Sequence, residues 1–218
     1  MVNMGEQTTN KKRIGIMGGT FNPIHIGHLL LAETAYREYK LDEIWFVPAF
    51  DPPHKAGQKI ASYQDRAEMT ALAIRDIEYF RRSDIETERR GYSYTSETLA
   101  LLHDKYPEYD FYFIMGADSL LQIEQWHQPE RVLKQATVLA SGRGHQPLDK
   151  LRKQMDYLSE KYDACLHLIH IPEVDISSAL IREKIASGHS VRFMVPEAVY
   201  HYIGAHRLYA DEKGKCCV

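Results

Sequence analysis

The chain has 218 residues, a formal charge of −3 and three cysteines, a size that fits one α/β domain burying about 70% of its unfolded surface rather than two domains. Acidic and basic residues are interspersed, so no broad basic field exists for nucleic acid, and any phosphate must be held by local positive charge. The cysteines, two of them adjacent at Cys216-Cys217, form no disulfide framework and fit a reducing cytosol; no stretch approaches the roughly 20 apolar residues of a membrane span.

Residues 1–12 are polar, lack the apolar stretch of a signal peptide and read as a disordered leader. Arg13–Met17 is an apolar strand run, and Gly18-Gly19-Thr20-Phe21-Asn22-Pro23-Ile24-His25-Ile26-Gly27-His28 follows it. A strand that feeds a glycine turn and then a helix over Ile26–Tyr39 gathers backbone N–H groups and the positive end of a helix dipole at one point. That is a phosphate site, in which Gly18, Gly19 and Gly27 permit close approach and Thr20 and Phe21 form the turn. His25 and His28, three apart, are expected on the first turn, projecting from one helical face. Zinc needs further ligands that the neighbouring sequence does not supply. Neither a GxxxxGK[ST] run nor the dinucleotide glycine fingerprint is present, which removes the P-loop reading.

Further along, the pattern predicts strands at Glu43–Pro48, Asp84–Glu88, Asp110–Met115, Thr137–Ser141 and Leu166–Ile171. Helices are predicted at Tyr63–Ile77, Thr95–Lys105, Asp149–Lys161 and Ser178–Ala186, with helical elements after Pro196. The alternation implies an α/β fold, a Rossmann-like parallel sheet with helices on both faces, as one domain over 13–206 followed by a tail at 207–218. Right-handed crossovers bring the strand C-termini to one edge, where ligands of open α/β sheets bind.

Each remaining motif follows a predicted strand and so belongs to that edge. Lys55 sits in Pro52-Pro53-His54-Lys55, where a flexible ammonium suits a mobile phosphate contact, although a solvated surface lysine is the plainer reading. Asp118, after Gly116, could accept from a ribose, help organise Mg²⁺ or cap the helix that follows. Trp126, among polar neighbours, could be core or a stacking plate in a loop beside the site. Ser177 and Ser178, after Ile176, make a second hydroxyl-capped helix N-terminus, with Arg182 one turn on to bind phosphate oxygens through paired hydrogen bonds.

The glycine–histidine stretch resembles, almost letter for letter, the GTFxPxHxGH signature of the nucleotidylyltransferase superfamily, and Ile176–Arg182 is similar to its ISSTxIR element, with Ala179 where Thr is commonest. Pro-Pro-His-Lys, Gly-Tyr-Ser-Tyr-Thr, Gly-Ala-Asp-Ser with the later tryptophan, and Ile-Ser-Ser-x-x-Ile-Arg occur here in the order found in bacterial nicotinate-nucleotide adenylyltransferases, a resemblance spanning about Arg13 to Ala205. It implies transfer of the adenylyl group of ATP, carried with Mg²⁺, to nicotinate mononucleotide in a cytoplasmic enzyme that binds neither nucleic acid nor membrane. Whether it forms a homo-oligomer stays open. It further implies that His25, His28 and Arg182 carry catalysis, with Lys55, Ile176, Ser177 and Ser178 about the phosphates. Gly116, Asp118, Ser141 and Arg143 would line the nucleoside side, and Tyr94, Thr95 and Trp126 would hold the nicotinate ring. No protein-held metal is expected. Nicotinamide mononucleotide or pantetheine phosphate as the acceptor, and a non-catalytic nucleotide sensor, are the alternatives. Asn22 stands where the signature usually has Asp, which questions any role for carboxylate charge there.

Overall fold

The computed structural model describes residues 11–52, 60–89, 91–142, 148–172 and 174–210. In chain order it contains β1 (Lys12–Gly19), α1 (Ile26–Glu38), β2 (Glu43–Pro48), α2 (Tyr63–Ile74), β3 (Phe80–Arg82), α3 (Thr95–Lys105), β4 (Tyr109–Gly116) and α4 (Ala117–Leu121). Then come α5 (Pro129–Gln135), β5 (Thr137–Ser141), α6 (Leu148–Tyr162), β6 (Leu166–Ile169), α7 (Ser178–Ala186) and α8 (Glu197–Ala205). The six strands form one sheet in the order β3-β2-β1-β4-β5-β6, and every neighbouring pair is parallel.

Side-chain alternation along the strands builds a core on each face. Ile44 and Phe46 of β2, Ile114 of β4 and Leu139 of β5 pack on one face with α1, α2, α7 and α8 residues such as Leu31, Met69, Ile181 and Ile203. Trp45, Val47, Phe111, Phe113, Val138 and Ala140 pack on the other with Leu99, Leu120, Leu133 and Leu158 of α3, α4, α5 and α6. Strand order reverses at β1, which has β2 on one side and β4 on the other, and the crevice of such a sheet opens at that point.

The expected strand over Asp84–Glu88 is instead a 3-10 turn over Ile85–Glu88, and the third strand lies earlier, at Phe80–Arg82. Asp84 folds the chain locally: its carbonyl accepts from the Thr87 N–H at 2.9 Å and from the Thr87 hydroxyl at 2.8 Å. Glu86 then turns inward, where its carboxylate accepts from the Phe50 N–H at 3.0 Å and the Thr98 hydroxyl at 2.7 Å. Those bonds outcompete a ladder. α2 ends at Ile74 rather than Ile77, and β6 at Ile169 rather than Ile171, two residues short of the region of Pro172. The helix considered after Asp118 is α4, which already starts at Ala117, while α5 and the 3-10 turn Ile123–Gln125 occupy a stretch to which the pattern assigned no element.

Of the expected leader, residues 1–10 lie outside the described residues, while Lys12 already opens β1 and Lys11 approaches Asp110 at 3.7 Å. Of the expected tail, residues 211–218 with Cys216-Cys217 also lie outside them, and Leu208 and Tyr209 pack against the core. Among the described residues no helix is long and apolar enough to cross a membrane.

Candidate functional site

A cavity of about 580 Å³ opens at the switch point. Met17 and Gly18 at the end of β1 form its floor with Phe113–Gly116 of β4; His28 and Leu31 of α1, Ala117–Ser119 of α4, Trp126 and the segment Val174–Ser177 form its walls. Gly116 faces open space, since a Cβ built there meets nothing within 4 Å, so the backbone itself lines the cavity.

β1 runs through Gly18 and Gly19, and the turn proper is Thr20–Pro23, with Phe21 in the left-handed region at φ 48° and a cis Asn22–Pro23 peptide. Three side chains hold its carbonyls. Arg66 Nη1 donates to Thr20 at 2.7 Å, Arg182 Nη1 to Asn22 at 2.7 Å and the Ser178 hydroxyl to Pro23 at 2.8 Å. The Asn22 amide oxygen accepts from the Ala61 N–H at 3.1 Å and from the Tyr209 hydroxyl at 2.8 Å. These are acceptor duties that an amide performs as well as a carboxylate, so Asn22 meets the geometry without the charge.

His25 is not on the helix but is the extended residue before it, at φ −147°, and it is 2% exposed. His28 is in the first turn; its Nδ1 accepts from the His25 backbone N–H at 3.2 Å. With Nδ1 committed as acceptor, the neutral ring carries its proton on Nε2, which makes His28 a donor on the cavity wall. The two imidazoles lie 3.7 Å apart, and Phe21 packs edge-on against His28 at 5.2 Å.

Of the expected site residues, Gly18, His28, Gly116, Asp118, Trp126, Ile176 and Ser177 line the cavity. Gly19, Thr20, Phe21, His25, Ser178 and Arg182 form the turn and its supports. Asp118 is the second residue of α4 and Gly116 is the residue before the helix, so Asp118 is not its cap; it favours the positive end of the helix dipole. Ser141 pairs with Gly116 in the sheet and is 0% exposed, and its hydroxyl has no hydrogen-bond partner among the described residues. Tyr94, the residue before α3, and Thr95, its first, are not among the residues that line the cavity, and Tyr94 stacks on His127 at 4.2 Å. Ser177 caps α7, accepting from the Leu180 N–H at 3.1 Å. Lys55 and Arg143 lie outside the described residues.

Sequence reasoning missed Arg66, Tyr209 and His127. Arg66 is 1% exposed and falls on the buried stripe of α2 with Met69, Thr70 and Ala73, so a cation on an otherwise core-facing register was the available signal. Burial pulls its guanidinium below the ordinary value, against the opposing pull of Tyr209, Tyr63 and Glu86. Burial pushes the Tyr209 phenol up while Arg182 and Arg66 pull it down, with a net rise that keeps it a hydrogen-bond donor.

Residues 16–184 match the family model described as cytidylyltransferase-like. A probable nicotinate-nucleotide adenylyltransferase of Lachnoclostridium phytofermentans is 43% identical over 91% of this chain and 99% of its own length. The chain belongs to the cytidylyltransferase-like family, among the nicotinate-nucleotide adenylyltransferases. Another relative of that name, from Synechococcus, is 40% identical over 95% of this chain and 100% of its own. In architecture the adenylyltransferase fold extends to the Plasmodium falciparum nicotinic acid mononucleotide adenylyltransferase complexed with NaAD. That structure is 22% identical, covers 91% of this chain and 97% of its own, and superposes with a TM-score of 0.76.

Proposed function

We propose that this chain transfers the adenylyl group of ATP to nicotinate mononucleotide, giving deamido-NAD and pyrophosphate. The observation that carries the reading is the donor edge of His28, oriented by the His25 N–H on the wall of the switch-point cavity, in a chain 43% identical to a relative of that name.

A phosphate oxygen of the mononucleotide attacks the α-phosphorus of ATP. A P–O bond forms, the bond bridging the α- and β-phosphates breaks, and its electron pair leaves on pyrophosphate. The nucleophile is already an anion near neutral pH, so the protein needs no strong base and no covalent intermediate. Its task is to align two anions and neutralise charge as pyrophosphate departs. In this reading His28 donates Nε2–H to the leaving charge, with His25 setting its tautomer. The backbone from Gly18 at the end of β1 to Phe21 in the turn, the α7 terminus at Ile176, Ser177 and Ser178, and Lys55 would surround the triphosphate. Arg182, fixed on Asn22, adds positive charge behind the turn. Gly116, Asp118, Ser141 and Arg143 take the nucleoside side; Tyr94, Thr95 and Trp126 take the nicotinate ring. In this reading magnesium arrives as part of the substrate MgATP. Such a reaction belongs in the cytosol, where both nucleotides are found.

Pyrophosphate release from MgATP, measured in parallel with nicotinate and nicotinamide mononucleotides, tests the reading. Strong preference for the acid is expected. Equal use of the two overturns the acid assignment, and silence with both overturns adenylyl transfer to a pyridine mononucleotide.

A further inference from the structure

The C-terminal end of the fold is built to return to the site. α8 closes with a hydrogen-bond pair that reverses the chain: the Leu208 N–H reaches the Ile203 carbonyl at 3.0 Å and the Arg207 N–H the Gly204 carbonyl at 3.2 Å, with Arg207 left-handed at φ 50°. Tyr209 is left-handed as well, at φ 64°, a conformation that disfavours a bulky L-residue and persists only where the surroundings hold it. What holds it is the phenol. The ring is packed against the core, its charge environment is set by Arg182 and Arg66, and its O–H donates to the Asn22 amide oxygen at 2.8 Å. Asn22 is also the residue whose carbonyl anchors Arg182. One residue of the turn therefore ties the C-terminal segment to the guanidinium beside the signature.

We propose that Tyr209 is a positioning residue for adenylyl transfer, fixing through its hydrogen bond to Asn22 the Thr20–Pro23 turn and the Arg182 guanidinium seated on it. The proposal rests on the function given above and extends the working domain through residue 209. Tyr209 touches no reacting atom. Its loss lets the turn and Arg182 sample other arrangements, which weakens alignment in the transition state more than binding in the ground state.

The test uses the full chain with Tyr209→Phe, which keeps the ring and removes only the donor. We expect kcat to fall about tenfold, as for one misplaced charge-assisted contact, with KM for both substrates within about twofold. In a double-mutant cycle, Tyr209→Phe should cost nothing further once Asn22→Ala is present. Amide hydrogen exchange over Thr20–His25 without substrate reads the same hold independently: about tenfold faster exchange is expected in Tyr209→Phe, with α3 unchanged. A wild type silent with both mononucleotides removes the assigned reaction but leaves the exchange result to decide Tyr209. Unchanged exchange, or unchanged kcat in an active enzyme, overturns the positioning role.

Discussion

At the scale of single residues, His28 separates fold from chemistry. Its Nδ1 accepts from the His25 N–H and so closes the start of α1, while Nε2 faces the other way as donor. His28→Asn places an amide oxygen near the former Nδ1 and nothing at Nε2. The variant should keep wild-type thermal stability and lose about 10²–10³ in kcat, the usual cost of removing one donor aimed at developing charge. Retention of most turnover would remove His28 from the mechanism. Gly15 makes the opposite case, a residue far from chemistry that the fold cannot change. A Cβ there would lie 2.4 Å from Ile44 Cδ1 and 2.9 Å from Leu41 Cδ1, and Ile44 is fully buried. Gly15→Ala should therefore destabilise the chain by about 1–3 kcal/mol, read from denaturant unfolding, as overpacked cores do.

At the scale of elements, what the sequence disclosed depended on how far each signal had to travel. β1, its glycines and the helix after it were legible because apolar run, turn residues and helix start lie within one short stretch of chain. The 3-10 turn at Ile85–Glu88 was not, because the inward turn of Glu86 depends on Phe50 and Thr98, which lie elsewhere in the sequence. The supports of the turn were half legible for the same reason. Ser178 and Arg182 stood in a recognisable motif, but their carbonyl partners at Pro23 and Asn22 are set by tertiary packing. The turn that follows α8, from Arg207 to Tyr209, was read as tail because Arg207 occupies the left-handed position that glycine usually marks, which erased the stop signal. That yields a prediction. Arg207→Gly relieves the left-handed strain within an otherwise unchanged turn and should raise stability by about 1 kcal/mol, with kcat unaltered. A loss of stability would mean that the Arg207 side chain contributes more than its backbone costs.

At the scale of the whole molecule, stability should fall at both ends of the pH range, for separate reasons that can be removed one at a time. On the acid side, Glu43 ties three strands together: Lys12 of β1 meets it at 2.5 Å, Trp45 of β2 donates to it at 2.7 Å and Arg81 of β3 lies at 2.9 Å. Burial raises its carboxyl, but the bonds from Lys12 and Trp45 and the charge of Arg81 outweigh that and leave it below the ordinary value. A lowered acid binds its proton less readily when folded. Its contribution is present above the unfolded-state pKa near 4 and is lost as pH falls through the folded value. On the alkaline side, burial raises the phenol of Tyr209, and burial with the bond to Asp84 raises that of Tyr63. A raised phenol gives up its proton more readily when unfolded, so stability holds below about pH 10 and declines above it, at up to about 1.4 kcal/mol per pH unit for each phenol still protonated in the fold. Chemical denaturation from pH 3 to 11 should show both limbs. Glu43→Gln should flatten only the acid limb and Tyr209→Phe should shallow only the alkaline one. An alkaline limb unchanged by Tyr209→Phe would mean that Tyr209 ionises in the fold as it does in water, which is incompatible with a phenol raised by burial and donating its O–H to Asn22.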